Sequence, residues 1–507
     1  MRTRRLPVPS NAASTCIQCL LAVAAIALTA TATALPPHLA SQDTSLSSGA
    51  GAPAKRTAFP LKASANKRYL VDQNDTPFLM IGDSPQALIA NLSLLAAEAY
   101  MANRRHYGIN TLWINILCKF SNICNRDGTT FDGIAPFLTP GDLSTPNPEY
   151  FKRVDDVLTI AARNGFLVLL DPIETGEWLD VLRANGVAKA FAYGEYLGKH
   201  FRTFSNIIWM HGNDFQSWRD AADDAVVQAV ALGIKAADPT RVHTVELNYP
   251  TSGSLDDPSW APIIELDAAY TYFPSYAQVL SEYNHADFKP VFLVESTYEF
   301  EQSSDEDSTQ ILRRQEYWAA LSGAAGQLYG SFYTWRFGSG WESHLDTPGI
   351  IQLSYLKNLL ASRKWYDLIP DQDHVVVTQG YNSFAGLAGK LSAYAGQRHS
   401  LAQRILDYVR RHSKFSSAAR NTYVTAARTA DGSLVMAYLP TIRTITVDMA
   451  KLSGLTTARW YDPTSGRYID AGSSRFANVG TRSFVPPGRN ADGDGDWVLV
   501  LETSTVQ

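Results

Sequence analysis

Between Phe59 and Pro370, short apolar segments alternate with longer amphipathic segments. The short segments are rich in β-branched and aromatic residues and mostly end in polar ones, which is typical of buried strands in a parallel sheet. The predicted strands are Phe78–Gly82, Thr111–Leu117, Phe166–Leu170, Ile207–Met210, His243–Leu247, Ala268–Tyr272, Pro290–Val294 and Leu328–Trp335. Apolar residues at three- and four-residue spacing predict the helices Leu94–Tyr107, Pro148–Asn164, Ala188–Phe204, Ala221–Ala237 and Thr309–Gly323.

This alternation predicts an α/β fold, a closed (β/α)8 TIM barrel over residues 59–370. An open, doubly wound sheet would produce a similar alternation of strands and helices. The number of strand–helix units and the acidic residues at the strand ends favour the closed barrel. The fifth and sixth units carry the weakest signal.

Beyond Pro370 the pattern changes to short strands separated by turns. The predicted strands are Tyr423–Ala427, Leu434–Leu439, Thr444–Val447, Thr457–Tyr461 and Trp497–Leu501. A basic stretch from Leu401 to His412 has a helical pattern and interrupts this region. We therefore predict a C-terminal all-β, sandwich-like domain over residues 371–507 that contains a helical insertion.

The first residues have the pattern of an export signal. Arg2, Arg4 and Arg5 precede the apolar run Leu20–Leu28, and small residues follow it, so residues 1–34 are a predicted signal peptide. Residues 35–58 are rich in Ala, Ser, Pro and Gly, which indicates a flexible linker. We expect a secreted or periplasmic protein that has left the membrane after signal removal; a retained N-terminal anchor is the alternative.

Composition narrows the expected partners. The chain of 507 residues has 18% charged residues and a net charge of −5, with both signs mixed along the sequence, which argues against nucleic acid and anionic membranes. Two of the four cysteines fall in the predicted signal peptide. The other two, Cys118 and Cys124, form a disulfide in one interpretation and are free thiols in the other.

No metal or cofactor is predicted. His211 and His243 are isolated from further candidate ligands, which disfavours a metal-dependent barrel hydrolase. The oxygen-bearing side chains of Asn490–Asp496 alternate as in a calcium loop, but Leu501 stands where the last acidic ligand is expected. This segment is therefore predicted to be a polar turn.

Two acidic residues are the catalytic candidates. Asp214 follows the fourth predicted strand and Glu295 follows the seventh, and the active site of such a barrel lies at the carboxyl ends of its strands. Cleavage of a glycosidic bond by the retaining mechanism needs one carboxyl as acid/base and another as nucleophile. By analogy with retaining barrel glycosidases, Glu295 is the predicted nucleophile and Asp214 the acid/base. The structural alternatives are a helix N-cap for Asp214 and a salt bridge for Glu295.

Further polar and aromatic residues lie at or just beyond the strand ends, where they could contact a sugar. The predicted substrate-binding residues are Asp83, Trp113, Asn115, Asp171, His211, Asn213, Tyr272, Glu299 and Trp335. Glu174 and Glu246 lie in similar positions. For the tryptophans the alternative is a core position, and for His211 it is a hydrogen-bonded structural role.

Several motifs resemble those of the apiosidase-like glycoside hydrolases. They are Pro77–Asp83, Tyr107–Asn110, Asn147–Phe151, Asn206–Trp209 with Gly212–Asp214, Lys289–Phe292 with Glu295, Tyr298–Glu299 and Trp365–Asp371. In the C-terminal region, Ala437–Pro440, Trp460–Pro463 and Asp496–Leu499 resemble the β-domain labelled collagen-binding. Two departures concern the sugar pocket: Asn213 replaces the second glycine before the aspartate, and Ser84–Ala87 lacks aromatic residues.

The resemblance implies a glycoside hydrolase that cleaves apiosyl or related linkages in pectic or hemicellulosic polysaccharide. It also implies that Asp214 and Glu295 are the catalytic pair, in agreement with their positions at the strand ends. The alternative function is a non-catalytic protein that binds carbohydrate or extracellular matrix. Activity on pectic and hemicellulosic oligosaccharides distinguishes the two.

Overall fold

The structure is a computed structural model, and it describes residues 56–120, 122–217, 220–248, 251–301, 308–382, 417–472 and 475–503. The predicted signal peptide, most of the predicted linker and the helical pattern at 401–412 lie outside these residues. Residues from Arg56 onward form one compact unit. Within the described part, no helix is both long enough and apolar enough to cross a bilayer.

The strands follow one another along the chain in three groups. The strands before and within the barrel are β1 (Lys62–Ala63), β2 (Leu70–Val71), β3 (Pro77–Phe78), β4 (Met80–Asp83), β5 (Thr111–Asn115), β6 (Leu167–Asp171), β7 (Ile207–Phe215), β8 (His243–Leu247), β9 (Thr251–Ser252), β10 (Asp267–Thr271), β11 (Val291–Glu295) and β12 (Gly326–Tyr329). The C-terminal strands are β13 (Leu368–Pro370), β14 (Val377–Gln379), β15 (Thr425–Thr429), β16 (Leu434–Leu439), β17 (Ile445–Asp448), β18 (Thr456–Tyr461), β19 (Tyr468–Asp470), β20 (Thr481–Phe484) and β21 (Trp497–Thr503).

The helices lie between the barrel strands. They are α1 (Leu88–Asn91), α2 (Leu94–His106), α3 (Pro148–Arg163), α4 (Thr175–Phe201), α5 (Ala221–Ala237), α6 (Ser275–Tyr283), α7 (Thr309–Leu321) and α8 (Pro348–Ala361). Most begin at a polar cap: the side chains of Ser93, Asn147 and Asp220 accept backbone N–H groups at the starts of α2, α3 and α5. α4 begins before the predicted helix, because Gly186, at φ +70°, joins two helical segments.

The predicted barrel is confirmed. One sheet has the strand order β8-β7-β6-β5-β4-β12-β11-β10-β9, and every neighbouring pair is parallel except β9 with β10. The seam lies between β8 and β10, the two units with the weakest sequence signal. There the Ser254 hydroxyl donates to the Val245 carbonyl and accepts the Ala268 N–H at 2.8 Å, so a side chain joins the two ends.

The barrel interior is filled with side chains from alternate positions of the strands. Met80, Trp113, Leu169, Met210 and Phe292 belong to one buried cluster to which strands on all sides of the sheet contribute. The intervening residues face the helices and form the largest buried cluster. This alternation determines which strand-end residues can reach the mouth.

The eighth predicted strand is too long. β12 ends at Tyr329, and a turn begins at Ser331, whose carbonyl accepts the backbone N–H groups of Thr334 and Trp335. Aromatic and β-branched residues continue beyond the strand, so composition alone gave no end point. The turn carries Trp335 to the rim of the barrel.

The C-terminal region is all-β, as predicted. A sheet with the order β13-β15-β16-β21-β18-β19 and a smaller sheet β14-β17-β20 pack around a separate apolar cluster. All strands within these sheets pair antiparallel. The short strands β13, β14, β19 and β20 were not predicted, because their few residues show little alternation.

Helix α7 joins the barrel to the C-terminal sheets. The Arg314 guanidinium donates to the carbonyls of Ala418, Ala419 and Asn421, and the Trp318 indole donates to the Tyr423 carbonyl at 2.8 Å. Both Arg314 and Trp318 are buried. The contact therefore combines apolar packing with hydrogen bonds from side chains of α7 to the backbone of the C-terminal region.

The oxygen-rich segment Asn490–Asp496 is a polar turn, as predicted, and a cation from the protein itself occupies it. The buried Arg313 guanidinium donates to Asp496 at 2.8 and 2.9 Å and to Asp494 at 2.9 Å. The Gln352 amide donates to Asp492 at 2.7 Å. The acidic side chains of this turn therefore hold α7 and α8 against the β-region.

The two cysteines of the barrel are paired. Cys118 and Cys124 form a disulfide, with Cα atoms 5.8 Å apart, in the loop after β5. Both side chains are buried. The sequence had left free thiols as an alternative, and the structure selects the disulfide.

Candidate active site

Strand β7 ends in a bulge that projects Asp214 from the sheet. Gly212, Asn213 and Asp214 have φ values of +101°, +72° and +59°. They stand opposite the single residue Glu246, because His211 pairs with Val245 and Phe215 with Leu247. A Cβ on Gly212 would lie 2.1 Å from the Glu246 carbonyl oxygen, so only glycine fits there.

Asp214 is exposed, and one hydrogen bond holds its side chain while another holds its backbone. The Tyr270 hydroxyl donates to its carboxylate at 2.6 Å, and the Asp214 backbone N–H donates to Glu246 Oε2 at 3.2 Å. Loss of water around the carboxyl raises the pKa of Asp214, and the bond from Tyr270 opposes this shift. The side chain caps no helix, so the alternative role does not apply.

Glu295 ends β11 and is buried at 8% exposure. The hydroxyls of Tyr272 and Tyr298 donate to its two oxygens, each at 2.9 Å. Burial, together with the charges of Asp214 and Glu301, raises the pKa of Glu295 to about 8, while the two tyrosines favour the charged form. Tyrosine hydroxyls therefore stand where the alternative interpretation expected a salt-bridge cation.

A third carboxyl lies between these two. Glu246 on β8 is fully buried, and its Oε1 has no hydrogen-bond partner among the described residues. Burial, and then the charges of Glu295 and Asp214, raise the pKa of Glu246 well above its ordinary value. These effects favour the uncharged form of Glu246, and its Oε2 supports the bulge by accepting the Asp214 backbone N–H.

The site is a cluster of acids and tyrosines at the carboxyl ends of β7, β8, β10 and β11. The rings of Tyr270 and Tyr272, which serve Asp214 and Glu295 respectively, are 5.9 Å apart. Asp214 is close enough to Glu295 to contribute to its raised pKa. Two carboxyls of unequal exposure, each with its own tyrosine donor, are suited to separate acid/base and nucleophilic roles.

Three of the predicted sugar-contacting residues lie at this mouth. Tyr272 is half-buried beside Glu295, and Asn213 lies in the bulge, where its Oδ1 accepts the Asn115 amide at 3.3 Å. Trp335 is half-buried, and its ring meets Phe120 edge-on at 5.7 Å. The Trp335 indole nitrogen has no partner in the described part of the chain.

Trp113, Asn115 and Asp171 lie deeper, in the floor below the mouth. All three are buried and point into the barrel, since they occupy inward positions of β5 and β6. One polar atom of each lacks a partner among the residues described here: the Trp113 indole nitrogen, Asn115 Oδ1 and Asp171 Oδ2. The floor therefore has hydrogen-bonding capacity that the protein itself does not use.

Asp83 and Glu299 do not reach the mouth, which corrects two predicted sugar contacts. Asp83 points toward α2, where it is paired with Arg104 and Tyr100 in a fully buried cluster. The oxygens of Glu299 accept the Tyr329 and Thr347 hydroxyls and the Gly349 N–H at the start of α8. The alternation of β4 directs Asp83 outward, and Glu299 binds the start of α8. Both carboxylates therefore already have their partners within the protein.

His211 also faces away from the site, which corrects a third prediction. Its Nε2 lies 2.9 Å from Nδ1 of His243, and its ring packs beside Trp260. Burial lowers the pKa of His211 to about 3, so the imidazole is neutral. The structural role that the sequence left open is the one observed.

Tyr270 and Tyr298 were absent from the predicted site. Tyr270 lies on β10 and Tyr272 just after its end, and continued alternation over these two positions places both rings on the inward face. That signal was present in the sequence. Tyr298 reaches Glu295 across a loop beyond β11, and the Gln86 amide donates to its hydroxyl at 3.2 Å. Tyr298 lies in a loop, so the alternation of inward and outward residues along a strand could not predict its position.

Among the described residues, no group of three or more His, Cys, Asp or Glu side chains is arranged to hold a metal ion.

Comparison with known proteins agrees with this architecture. The family model described as "Apiosidase-like, catalytic domain" matches residues 64–367, and the one described as "Putative collagen-binding domain of a collagenase" matches residues 414–502. No relative was found among curated proteins.

Solved structures share the fold. One described as a glycoside hydrolase is 22% identical, with a TM-score of 0.71, and the match covers 89% of this chain and 100% of that one. A glycoside hydrolase family 5 structure from Bacteroides vulgatus ATCC 8482 is 19% identical, also with a TM-score of 0.71, over 88% of this chain and 95% of that one. At this identity the likeness concerns the fold. With the catalytic-domain model matching most of the chain, this protein belongs to the apiosidase-like family of glycoside hydrolases.

Proposed function

We propose that the protein is a retaining glycosidase in which Glu295 is the nucleophile and Asp214 the general acid/base. The observation that carries the proposal is the pairing of each carboxyl with its own tyrosine at one mouth. Glu295 is held by Tyr272 and Tyr298, and Asp214 by Tyr270. Retaining hydrolysis requires two carboxyls at one glycosidic bond, one of them on each side of the anomeric centre.

In the first step, an ionised oxygen of Glu295 attacks the anomeric carbon and forms a glycosyl ester. The bond from that carbon to the leaving oxygen breaks, and Asp214 donates its proton to this oxygen. In the second step, Asp214 takes a proton from water while the water oxygen attacks the anomeric carbon. The ester bond breaks, Glu295 leaves as carboxylate, and the sugar retains its anomeric configuration.

The tyrosines fit these two steps. Their hydroxyls donate to Glu295 and favour its charged form, which the attack requires although burial opposes it. Exposure of Asp214 lets it meet both the leaving group and the incoming water. Burial and the charges of Glu295 and Asp214 favour the uncharged form of Glu246, whose Oε2 accepts the Asp214 backbone N–H.

We propose that the substrate is a plant-type polysaccharide with apiosyl or related pectic or hemicellulosic linkages, and that the protein acts outside the cytoplasm. The family resemblance supports the sugar class. The Cys118–Cys124 disulfide is consistent with an oxidising compartment, and the pattern of residues 1–34 supports export. The amide of Asn213 beside the acid is a candidate contact to a sugar hydroxyl.

The direct test is release of sugar from pectic and hemicellulosic oligosaccharides. Asp214→Asn and Glu295→Gln are each expected to lower kcat by about 10²–10⁴-fold, with unchanged circular dichroism. His211→Gln is the matched control, because His211 is buried near the same strand end but faces away. Full activity in either carboxyl variant would refute the assignment.

An external nucleophile tests which of the two carboxyls is the nucleophile. Azide added to Glu295→Gly is expected to restore bond cleavage and give a glycosyl azide of inverted configuration, because the small anion enters the space left by the carboxylate. With unaltered protein, NMR of the first product should show the substrate's own anomeric configuration. An inverted first product would exclude the covalent intermediate.

A further inference from the structure

A second feature of the mouth lies on the loops after β11 and β12. Phe300, Tyr333 and His344, here called the aromatic pad, form a cluster of rings. Tyr333 and His344 stack with ring centres 3.5 Å apart, and Phe300 lies 5.7 Å from Tyr333 and 5.4 Å from His344. Because Phe300 is nearly equidistant from two stacked rings, it lies beside the stack rather than on top of it.

The pad is open to solvent. Phe300 is 42% exposed, whereas most large apolar side chains of the barrel are buried. Its ring is inclined by 69° and 78° to the two stacked rings, which therefore cover only one side of it. Contact between water and a flat apolar surface is unfavourable in free energy. A group that packs against the surface removes this cost.

The backbone of Phe300 is strained. Its φ is +65°, a conformation that L-residues with large side chains rarely adopt. Glycine would adopt this backbone without strain, so the phenylalanine costs folding free energy. Strain of this kind is characteristic of functional positions, where the side chain has a use that folding alone does not require.

The pad adjoins the catalytic pair. Glu301, next to Phe300 in sequence, accepts the Tyr272 hydroxyl at 3.3 Å, and the same hydroxyl donates to Glu295 at 2.9 Å. The two loops are tied together, because the Phe332 N–H donates to the Glu299 carbonyl at 2.9 Å. The Phe300 ring is thus carried on a segment that touches the hydrogen-bond network of Glu295.

We propose that the aromatic pad is a subsite that binds a second sugar unit of the substrate, adjacent to the unit whose bond is cleaved. This inference rests on the proposed glycosidase function. A sugar ring presents a face of C–H groups that packs on an aromatic ring and displaces water from it. The continuity of the pad with the catalytic site identifies the occupant as the substrate itself, and the substrate class is therefore an oligosaccharide rather than a simple glycoside.

Binding to an inactive variant tests the subsite without requiring turnover. The probes are free apiose and pectic oligosaccharides that carry apiosyl side chains, titrated into Glu295→Gln by calorimetry. Adding Phe300→Gly is expected to weaken oligosaccharide binding about tenfold and to leave apiose binding unchanged. Adding Phe300→Tyr, which keeps a flat ring, should preserve the affinity.

Phe300→Gly also distinguishes an effect on oligosaccharide binding from an effect on folding stability. Because glycine relieves the backbone strain, this variant should unfold at the same or a higher temperature while it binds the oligosaccharide less well. Tyr468→Ala, at a half-exposed aromatic position of the C-terminal region, is the control and should leave oligosaccharide binding unchanged.

Equal affinity of the Phe300→Gly and parent proteins for the oligosaccharide would overturn the subsite, whatever the catalytic activity. Absence of measurable oligosaccharide binding to the parent would also overturn it. Loss of catalysis in Asp214→Asn together with unaltered binding in Phe300→Gly would leave the proposed function intact and refute only the pad.

Discussion

At the scale of single residues, the site is organised by tyrosines that hold carboxyls of raised pKa. Tyr272 and Tyr298 donate to Glu295, and Tyr270 donates to Asp214. Each of these bonds lowers the pKa of the carboxyl that receives it, against the effect of burial. The tyrosines therefore favour the charged forms of both carboxyls.

Removal of these hydroxyls should move different limbs of the pH profile. Tyr272→Phe raises the pKa of Glu295, so the acidic limb of kcat/KM should move upward by about one pH unit. Tyr298→Phe should move the same limb in the same direction. Tyr270→Phe raises the pKa of Asp214, so the basic limb should move upward instead.

The measurement is kcat/KM against pH for the three variants and the parent protein. A shift of the basic limb in Tyr272→Phe would indicate that Glu295 is the acid/base and that the two roles must be exchanged. Unchanged profiles would show that the tyrosines position the carboxyls without influencing their ionisation.

The sequence predicted Asp214 and Glu295 as the catalytic pair because strand ends in a barrel are recognisable from the apolar runs before them. It did not separate Asp83 and Asp171, which both end apolar runs. Asp83 faces α2 and Asp171 the lumen, and one residue of strand register decides between these directions. Sequence alone does not fix register to that accuracy.

At the scale of elements, helix α7 and the turn Asn490–Asp496 hold the barrel and the C-terminal sheets together. The Arg313 guanidinium and the Asp496 carboxylate are both essentially buried. Charges in such a place are stable only as a pair, because either one alone would lack compensation for its lost hydration.

Arg313→Met should therefore destabilise the protein by about 3–5 kcal/mol, since it leaves Asp496 buried without a cation. Denaturant unfolding followed by fluorescence measures this change. Lys152→Ala breaks an ion pair on the exposed side of α3 and is the control, with an expected loss under about 0.5 kcal/mol. A similar small loss for Arg313→Met would show that solvent reaches the interface.

The sequence predicted the turn but not its partner. The pattern at Asn490–Asp496 resembles a loop for a bound cation, and in the structure the cation is an arginine from another element. Pairing of residues far apart in sequence leaves no trace in the local pattern. The bulge after β7 was likewise unpredictable, because extra residues become visible only opposite the partner strand β8.

At the scale of the whole molecule, several carboxyls are buried and have raised pKa values. Burial raises the pKa of Glu295 to about 8 and that of Asp267 to about 7, and it raises the pKa values of Glu246 and Glu282 well above normal. In the folded state these groups bind protons more tightly than in the unfolded chain. Their stabilising effect is complete below the unfolded pKa and is lost as pH rises through the folded value.

The melting temperature should therefore fall as pH rises from about 5 to about 8. Glu295→Gln removes one of these groups and should raise Tm at pH 8 by at least about 2 °C. Glu98→Gln removes only an exposed ion pair with Arg163, so it is the control and should change Tm by less than about 2 °C. Thermal scans at several pH values give both results, and a Tm that increases over this range would contradict the argument.

The positive φ of Asn213 permits several residue types beside the proposed acid/base. Gly212 admits no side chain, and Asp214 is the proposed acid/base, but glycine, asparagine and aspartate all tolerate the left-handed backbone of the residue between them. Replacement of glycine by asparagine at this position adds an amide side chain next to the acid without moving the backbone. Substrate preference can thus drift in descendants of this sequence while the reaction itself is inherited unchanged.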